Sequence, residues 1–265
     1  MTMEVVDGAA PAVRYEKISD VAVVKLNRPE HLNAVNDALV GELCDALARA
    51  SAEVPGAVVL AGEGRAFCAG HDMKQPSKVE ADGATIVRLE RLAEVTRRIR
   101  HLPMPVISAV NGYALGAGCE FAICCDLVVA APDAIFGFPE VEVGLAVTGG
   151  VTHLLPNIVG LAKANELVLF GTRITAVEAA TLGLVNVLAE DPLERAIDWA
   201  AQLAAKPQRA LAMAKSCLAA GLTGSLESAF ALETAASIAL LNTPEAMAAA
   251  EDFRNRHDGA RRAEQ

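Results

Sequence analysis

The chain opens on two short apolar-rich runs, VRYEKI (13–18) and VAVVKLN (21–27), separated by Ser19-Asp20; a polar pair between two β-prone runs predicts an antiparallel hairpin. The period then changes. From Asn36 to Ala52 the apolar positions Leu39, Val40, Leu43 and Leu47 recur every three or four residues, which puts them on one helix face. Pro55-Gly56 ends that pattern, and AVVLAG (57–62) follows as a continuous apolar run of strand length. A second unit starts near Arg65: a short stretch AFCAG, a polar loop through Pro76, and a helix with Ile86, Leu89, Leu92, Ala93, Thr96 and Ile99 on one face, stopped by Pro103 and Pro105. PVISAV (105–110) reads as a buried strand, a glycine-rich turn comes next, a short helix covers 117–124, and DLVVA (126–130) is another strand.

Sheet and helix keep alternating as far as Val187. Beyond it the chain is Ala-rich and helical: DPLERAIDWAAQLAA, PQRALAMAKSCLAA, SLESAFALETAASIALL and TPEAMAAAEDFRNRH. The pattern predicts an α/β fold of stacked ββα units over residues 1–190 and an all-helical section over 191–265. No fixed-period sequence repeat accompanies the stacking, which rests on pattern alone. With 265 residues, 53% of them hydrophobic, the chain has material for one sizeable core.

A formal charge of −10 argues against a surface that must neutralise nucleic-acid phosphates, so any anionic ligand has to be met by local cations. Lys25, Arg28, His31, Lys74 and Lys78 are candidates for that local field, and each taken singly also reads as an ordinary surface charge. The series Arg88, Arg91, Arg97, Arg98 and Arg100 has the spacing of a solvated helix face. Six cysteines without a CxxC pair or framework spacing read as reduced, buried thiols. The first twenty residues lack the layout of a secretory or transit segment, and apolar stretches such as FAICCDLVVAA fall short of the ~20 residues of a membrane span. A cytoplasmic protein without a membrane or nucleic-acid partner is the expectation.

Three segments can carry chemistry. In GRAFCAGHDMK (64–74) a strand-like run breaks at Gly70 and exposes successive amides; such a turn can hold an anion, or simply end a strand with Asp72 as a cap. In NGYALGAGCE (111–120) a glycine-rich turn leads straight into a helix, whose first amides lack an intrahelical acceptor and favour negative charge near Gly116, Ala117 and Gly118. Glu120 lies one turn inside that helix, where a carboxylate either complements the dipole or does chemistry. In FGFPEVEVG (136–144) Glu140 emerges from an apolar strand and loop, and burial there would raise its pKa into a useful range. Two carboxylates in apolar surroundings can hold one water and move its proton.

Taken together, in this order and spacing, the three segments resemble the crotonase (enoyl-CoA hydratase/isomerase) family. The resemblance runs from LNRPEHLNAVN (26–36) through AGHDMK, NGYALGAGCE and CDLVVAAPDAIFGFPEV to RITAVEAATLGLVN (173–186). It implies a spiral of repeated ββα units. It also implies that the backbone amides of His71 and Ala117 form an oxyanion hole for a thioester carbonyl, with Glu120 and Glu140 as the acid/base pair. Glu120 would help activate water for attack at Cβ, and Glu140 would exchange a proton at Cα. The loop Arg28 to Ala34 resembles the family's CoA-adenine turn, and Ala69, Gly70, Asp72, Met73, Lys74 and Gly116 fall at its substrate-binding positions. Both glutamates are present with hydratase spacing, so the resemblance implies addition of water to an enoyl-CoA, with coenzyme A entering as part of the substrate and no separate cofactor or metal. An isomerase or dehydratase for a specialised acyl group, or a non-catalytic acyl-CoA binder, are the alternatives. The family's trimers and hexamers imply that 191–265 mediates self-association.

Rival chemistries find less support. The glycines at 112, 116 and 118 do not make the GxGxxG of a dinucleotide site, no serine sits in GxSxG, and His71-Asp72 lacks further metal ligands at usable spacing. The chain also departs from the family. Val147-Thr148-Gly149-Gly150-Val151 stands where a Pro-Gly-Ala-Gly-Gly run is common, and His153-Leu154 stands where Gln-Arg is frequent, which leaves the shape of the acyl pocket open. His71 sets an imidazole beside the oxyanion turn with no role assigned by the resemblance.

Overall fold

A computed structural model describes residues 10–74, 83–251 and 254; Lys78, the side chain of Arg88 and most of the closing FRNRH segment lie outside the described residues. Strands β1 (Val13–Ile18) and β2 (Val21–Leu26) form the expected hairpin, Val13 opposite Leu26 and Ile18 opposite Val21. From β2 the sheet continues in parallel through β3 (Ala57–Gly62), β4 (Val106–Val110), β6 (Leu127–Ala130) and β9 (Val187–Leu188), in the order β1-β2-β3-β4-β6-β9. Parallel strands are normally covered on both faces, and these are. Ala22, Val24, Val58, Leu60, Val106 and Val128 point into the main core, whereas their neighbours Val21, Val23, Val59, Ile107 and Val129 point the other way. That second face is closed by Ala196 and Ala200 of α7 (Pro192–Ala204).

A smaller sheet positions the site. β5 (Tyr113–Leu115) pairs in parallel with β7 (Ile135–Gly137), which pairs antiparallel with β8 (Arg173–Thr175). Single parallel bridges prolong it: Cys68 with Ala114, and Val35 with His71. Four strands of the large sheet, β2, β3, β4 and β6, are each followed by a short piece of the second layer and then by a helix. β2 leads to Val35 and α1 (Asp37–Glu53), and β3 leads to Cys68, His71 and α2 (Gly83–His101). β4 leads to β5 and α3 (Ala117–Ile123), and β6 to β7, a 3₁₀ turn (Pro139–Val143) and α4 (Val151–Val159). This is the ββα repeat read from the pattern, in an α/β fold with a helical C-terminal region. The stretch AFCAG forms a single bridge, at Cys68, and no strand, and the glycine-rich turn contains the strand β5. Three residues between Gly112 and Gly116 are too few to show a two-residue period.

Past α5 (Leu161–Leu169) and α6 (Ala176–Thr181), α7 lies flat on the sheet, so the first helix beyond residue 190 belongs to the packed core. α8 (Gln208–Gly221) buries no side chain and α9 (Leu226–Leu240) buries Ala236 alone. α8 is nonetheless tied down: Lys215 Nζ lies 2.6 Å from Asp126 Oδ2 and donates to the carbonyls of Ile99 and Met104 at 3.2 and 3.1 Å. Among the described residues no helix is long and apolar enough to cross a membrane.

Candidate active site

The three segments singled out in the sequence are adjacent lanes of the small sheet, and register brings their reactive parts together. Cys68 pairs with Ala114, so residues 69–71 and 115–117 run side by side; the bridge is sealed by Cys68 N donating to Tyr113 O and Leu115 N donating to Cys68 O. Three positions past the bridge on each lane stand His71 and Ala117. Leu115 pairs with Gly137, and Gly116 N donates to Gly137 O at 2.9 Å, so residues 138–140 run beside the start of α3. This puts Glu140 against Gly116: a Cβ on that glycine would stand 2.8 Å from Glu140 Oε1. Gly116 (φ 52°) and Gly70 (φ 89°) hold left-handed backbone, and a Cβ on Gly70 would meet Leu115 O at 2.8 Å, so the two turns approach as closely as glycine allows.

Ala117 is the first residue of α3, so its amide has no intrahelical acceptor and sits at the positive end of the helix. Gly70, His71, Gly116 and Glu140 line one cleft of about 180 Å³, with Ala69, Met73, Pro139, Glu142, Val143, Leu145 and Arg173 completing its walls. Glu120 is not on that wall. It lies one turn further along α3, 1% exposed, and its carboxylate is held from behind by Thr148: Thr148 N donates to Oε1 at 2.6 Å and Thr148 Oγ1 donates to Oε2 at 2.8 Å.

The two carboxylates live in different surroundings. Glu140 is 6% exposed and its Oε2 is buried without a hydrogen-bond partner. Burial, opposed by its own backbone N–H and reinforced by the charge of Glu120, pushes its carboxyl up to about 7. Burial also raises Glu120, but both Thr148 donors pull it back toward the ionised form. Two carboxyl groups in such unlike surroundings form an arrangement in which acid and base roles can be divided.

The remaining sequence candidates fall into two groups. Arg28 bonds Ala34 O and pairs with Asp72 Oδ2 at 3.0 Å, with both side chains mostly covered; it clamps the 28–34 loop to the AGHD turn. The pairing holds the Asp72 carboxyl below its usual range. Met73 and Lys74 are exposed at the edge of the cleft, and Asp72 Oδ1 accepts from Lys74 N at 3.2 Å. Lys25 pairs with Glu16, and His31 lies 3.8 Å from Glu30. In the arginine series Arg97 and Arg98 pair with Glu90 and Glu94 along α2, and Arg100 lies 3.9 Å from Asp126. His71 lines both the cleft and a crevice shared with Val35, Val40 and Leu92. No group of His, Cys, Asp and Glu among the described residues could hold a metal ion.

Sequence reading missed Thr148, Gly149 and Arg173. Thr148 and Gly149 stand in the stretch that departs from the family run, and Gly149 (φ 55°) would place a Cβ 2.8 Å from Glu120 Oε2. Their signal was that departure itself, a polar residue before two glycines.

The model of the enoyl-CoA hydratase/isomerase family matches residues 16–258. A probable enoyl-CoA hydratase of Rhodobacter capsulatus is 40% identical over 224 residues, covering 83% of this chain and 86% of that protein. The 2,3-dehydroadipyl-CoA hydratase of Escherichia coli K12 is 38% identical over 218 residues, 80% and 84% of the two chains. Among solved structures, a putative enoyl-CoA hydratase of Streptomyces coelicolor superposes with a TM-score of 0.88 at 34% identity, covering 96% of this chain and 97% of that one. An enoyl-CoA hydratase of Mycobacterium smegmatis gives 0.87 at 33%, covering 93% and 97%.

Proposed function

The chain belongs to the enoyl-CoA hydratase/isomerase family, and on that premise we propose that it adds water across the α,β double bond of a trans-2-enoyl-CoA thioester. The observation that carries this reading is the pair of buried carboxyl groups in unlike surroundings beside two turn amides. In the proposed reaction the thioester oxygen sits between the N–H groups of His71 and Ala117, which stabilise the negative charge that develops there. Glu120, ionised, takes a proton from water as the oxygen bonds to Cβ. The π electrons move toward the carbonyl, and Glu140, protonated, delivers a proton to Cα. Water is thus divided between the two carbons, and the pair resets by returning the proton from Glu120 to Glu140. An oxyanion donor supplies ~10²–10³ in rate and an acid/base group ~10²–10⁴, so both devices are needed.

Coenzyme A enters as part of the substrate, with no further cofactor. Its nucleotide end lies against Ala34, Ala69, Asp72, Met73 and Lys74, with Arg28 setting the shape of that turn through Asp72 and Ala34. Region 191–265 assembles the chain into a trimer or a hexamer through the exposed apolar side chains of α8 and α9, among them Leu218, Leu226, Phe230 and Ile238. A cytoplasmic location accords with six cysteines that form no disulfide. A panel of short, medium and aromatic enoyl-CoA esters tests the reaction through loss of the conjugated enoyl-thioester absorbance in water. Loss with at least one ester is expected, and unchanged absorbance with all of them sinks the hydratase reading.

A further inference from the structure

The segment that breaks from the family run, Val147 to Val151, places a hydroxyl on one of the two carboxylates, and no step of the hydration reaction uses it. Thr148 grips Glu120 at both oxygens, through N–H to Oε1 at 2.6 Å and through Oγ1 to Oε2 at 2.8 Å. An amide can only donate, so Oε1 accepts; an ionised carboxylate can only accept, so the hydroxyl donates as well. Gly149 leaves the space beside Oε2 open, since any Cβ there would stand 2.8 Å from it. With the side chain 1% exposed, these contacts hold its rotation, and as donors they favour the charged form against the burial that raises its carboxyl.

We propose that the Thr148 hydroxyl is a positioning group that keeps Glu120 oriented and ionised as the water-activating base, leaving Glu140 as the carboxyl that carries the proton. The catalytic meaning of this rests on the hydration reading, whereas the physical claim about Glu120 does not. A hydrogen bond to the charged form favours it, and burial opposes it. Deleting the hydroxyl therefore raises the pH at which Glu120 ionises and frees the carboxylate to turn. The groups that face it are few. Glu140 acts from the 3₁₀ turn, and the thiols of Cys68 and Cys119 are raised by burial, Cys68 to about 12, and stay neutral. β4 and β6 present no ionisable side chain, Tyr113 of β5 and His153 of α4 are exposed, and on α2 Arg97 and Arg98 are paired with Glu90 and Glu94.

The test uses the full chain with Thr148→Val and Thr148→Ala, which remove the hydroxyl and keep the amide, and Thr148→Ser, which restores it. First, the carboxyl carbon of Glu120 is followed by NMR in protein labelled at glutamate, the signal being assigned by its loss in Glu120→Gln. The titration midpoint is expected to move to higher pH in Val and Ala and to return in Ser; coincident midpoints in all four proteins overturn the proposal. Second, in the hydration assay kcat is expected to fall roughly 10- to 100-fold in Val and Ala, as for loss of a hydrogen bond to a charged group. The acid limb of the pH profile should move up, and the Kd for a saturated acyl-CoA should stay unchanged. A fall in acyl-CoA affinity with kcat and the acid limb unmoved also overturns it. If the wild type hydrates nothing, the functional reading falls alone and the titration still decides the role of the hydroxyl.

Discussion

Glu140 keeps one carboxylate oxygen buried without a partner, which is tolerable for a neutral acid and costly for an ion. Its carboxyl, pushed from an ordinary 4.5 to about 7, holds a proton in the folded state that the unfolded chain has already released. Between those two values the unfolded state therefore binds fewer protons, and stability falls as pH rises. Thermal melts of the wild type should show that decline between about pH 4.5 and 7, and it should be smaller in Glu140→Gln, where only the raised Glu120 carboxyl still contributes. As proton donor, Glu140 should give a kcat/KM that is lost as pH rises through about 7. Replacing either Glu120 or Glu140 by Gln is expected to lower kcat by ~10²–10⁴ while acyl-CoA binding persists, because proton transfer is removed and the carbonyl site is kept. Steady-state kinetics beside a titration with a saturated ester checks both halves.

Elements as short as β5 and β7 do little for stability by themselves, yet their register sets the distance between Glu140 and Gly116. Gly116 is the point where the lanes meet. At φ 52° it sits where alanine is strained, and a Cβ would strike Glu140 Oε1. Gly116→Ala should therefore abolish turnover by displacing the proton donor while the chain still folds, since the neighbour that must move is one side chain. Circular dichroism close to wild type with activity reduced at least ~10²-fold is the expected result. A wholly unfolded variant would mean that the glycine serves the fold before it serves the site. α3 depends on the same turn, because Gly116 is its N-cap and sets the direction of its first amides.

The molecule as a whole joins a sheet covered on both faces to two late helices, α8 and α9, that are largely bare. α7 belongs to the core, whereas α8 is fastened by Lys215, whose ammonium reaches Asp126 and two carbonyls with only 12% of its side chain exposed. Asp126 also accepts from Val106 N at 2.8 Å, so the pair links α8 to the start of β4. Lys215→Met leaves that carboxylate without its nearest cation and is expected to cost about 3 kcal/mol in denaturant unfolding. The exposed apolar residues of α9 should be covered in an assembly. Light scattering on the full chain is expected to give a trimer or a multiple of it, and a monomer at micromolar concentration would contradict the self-association assigned to 191–265.

Much of this was already determined by the sequence. Apolar patterning fixes β1, β2, α1 and β3 within a residue or two, because it is a direct image of burial on one face or two, whereas the late helices show through their Ala-rich composition. The glycines at 70 and 116 mark the close turns, and the order of the three segments identifies the family. Tertiary structure alone decided which lanes lie side by side. The bridge from Cys68 to Ala114 and the pairing of Leu115 with Gly137 are contacts between residues 46 and 22 positions apart, which local pattern does not encode. The same holds for Thr148 on Glu120, 28 positions away. Arg28, too, reads from sequence as a free cation and proves to be bound to Asp72, since a charge's partner is settled by packing. Residue types fixed what chemistry was available; register and burial decided the surroundings in which each carboxylate sits.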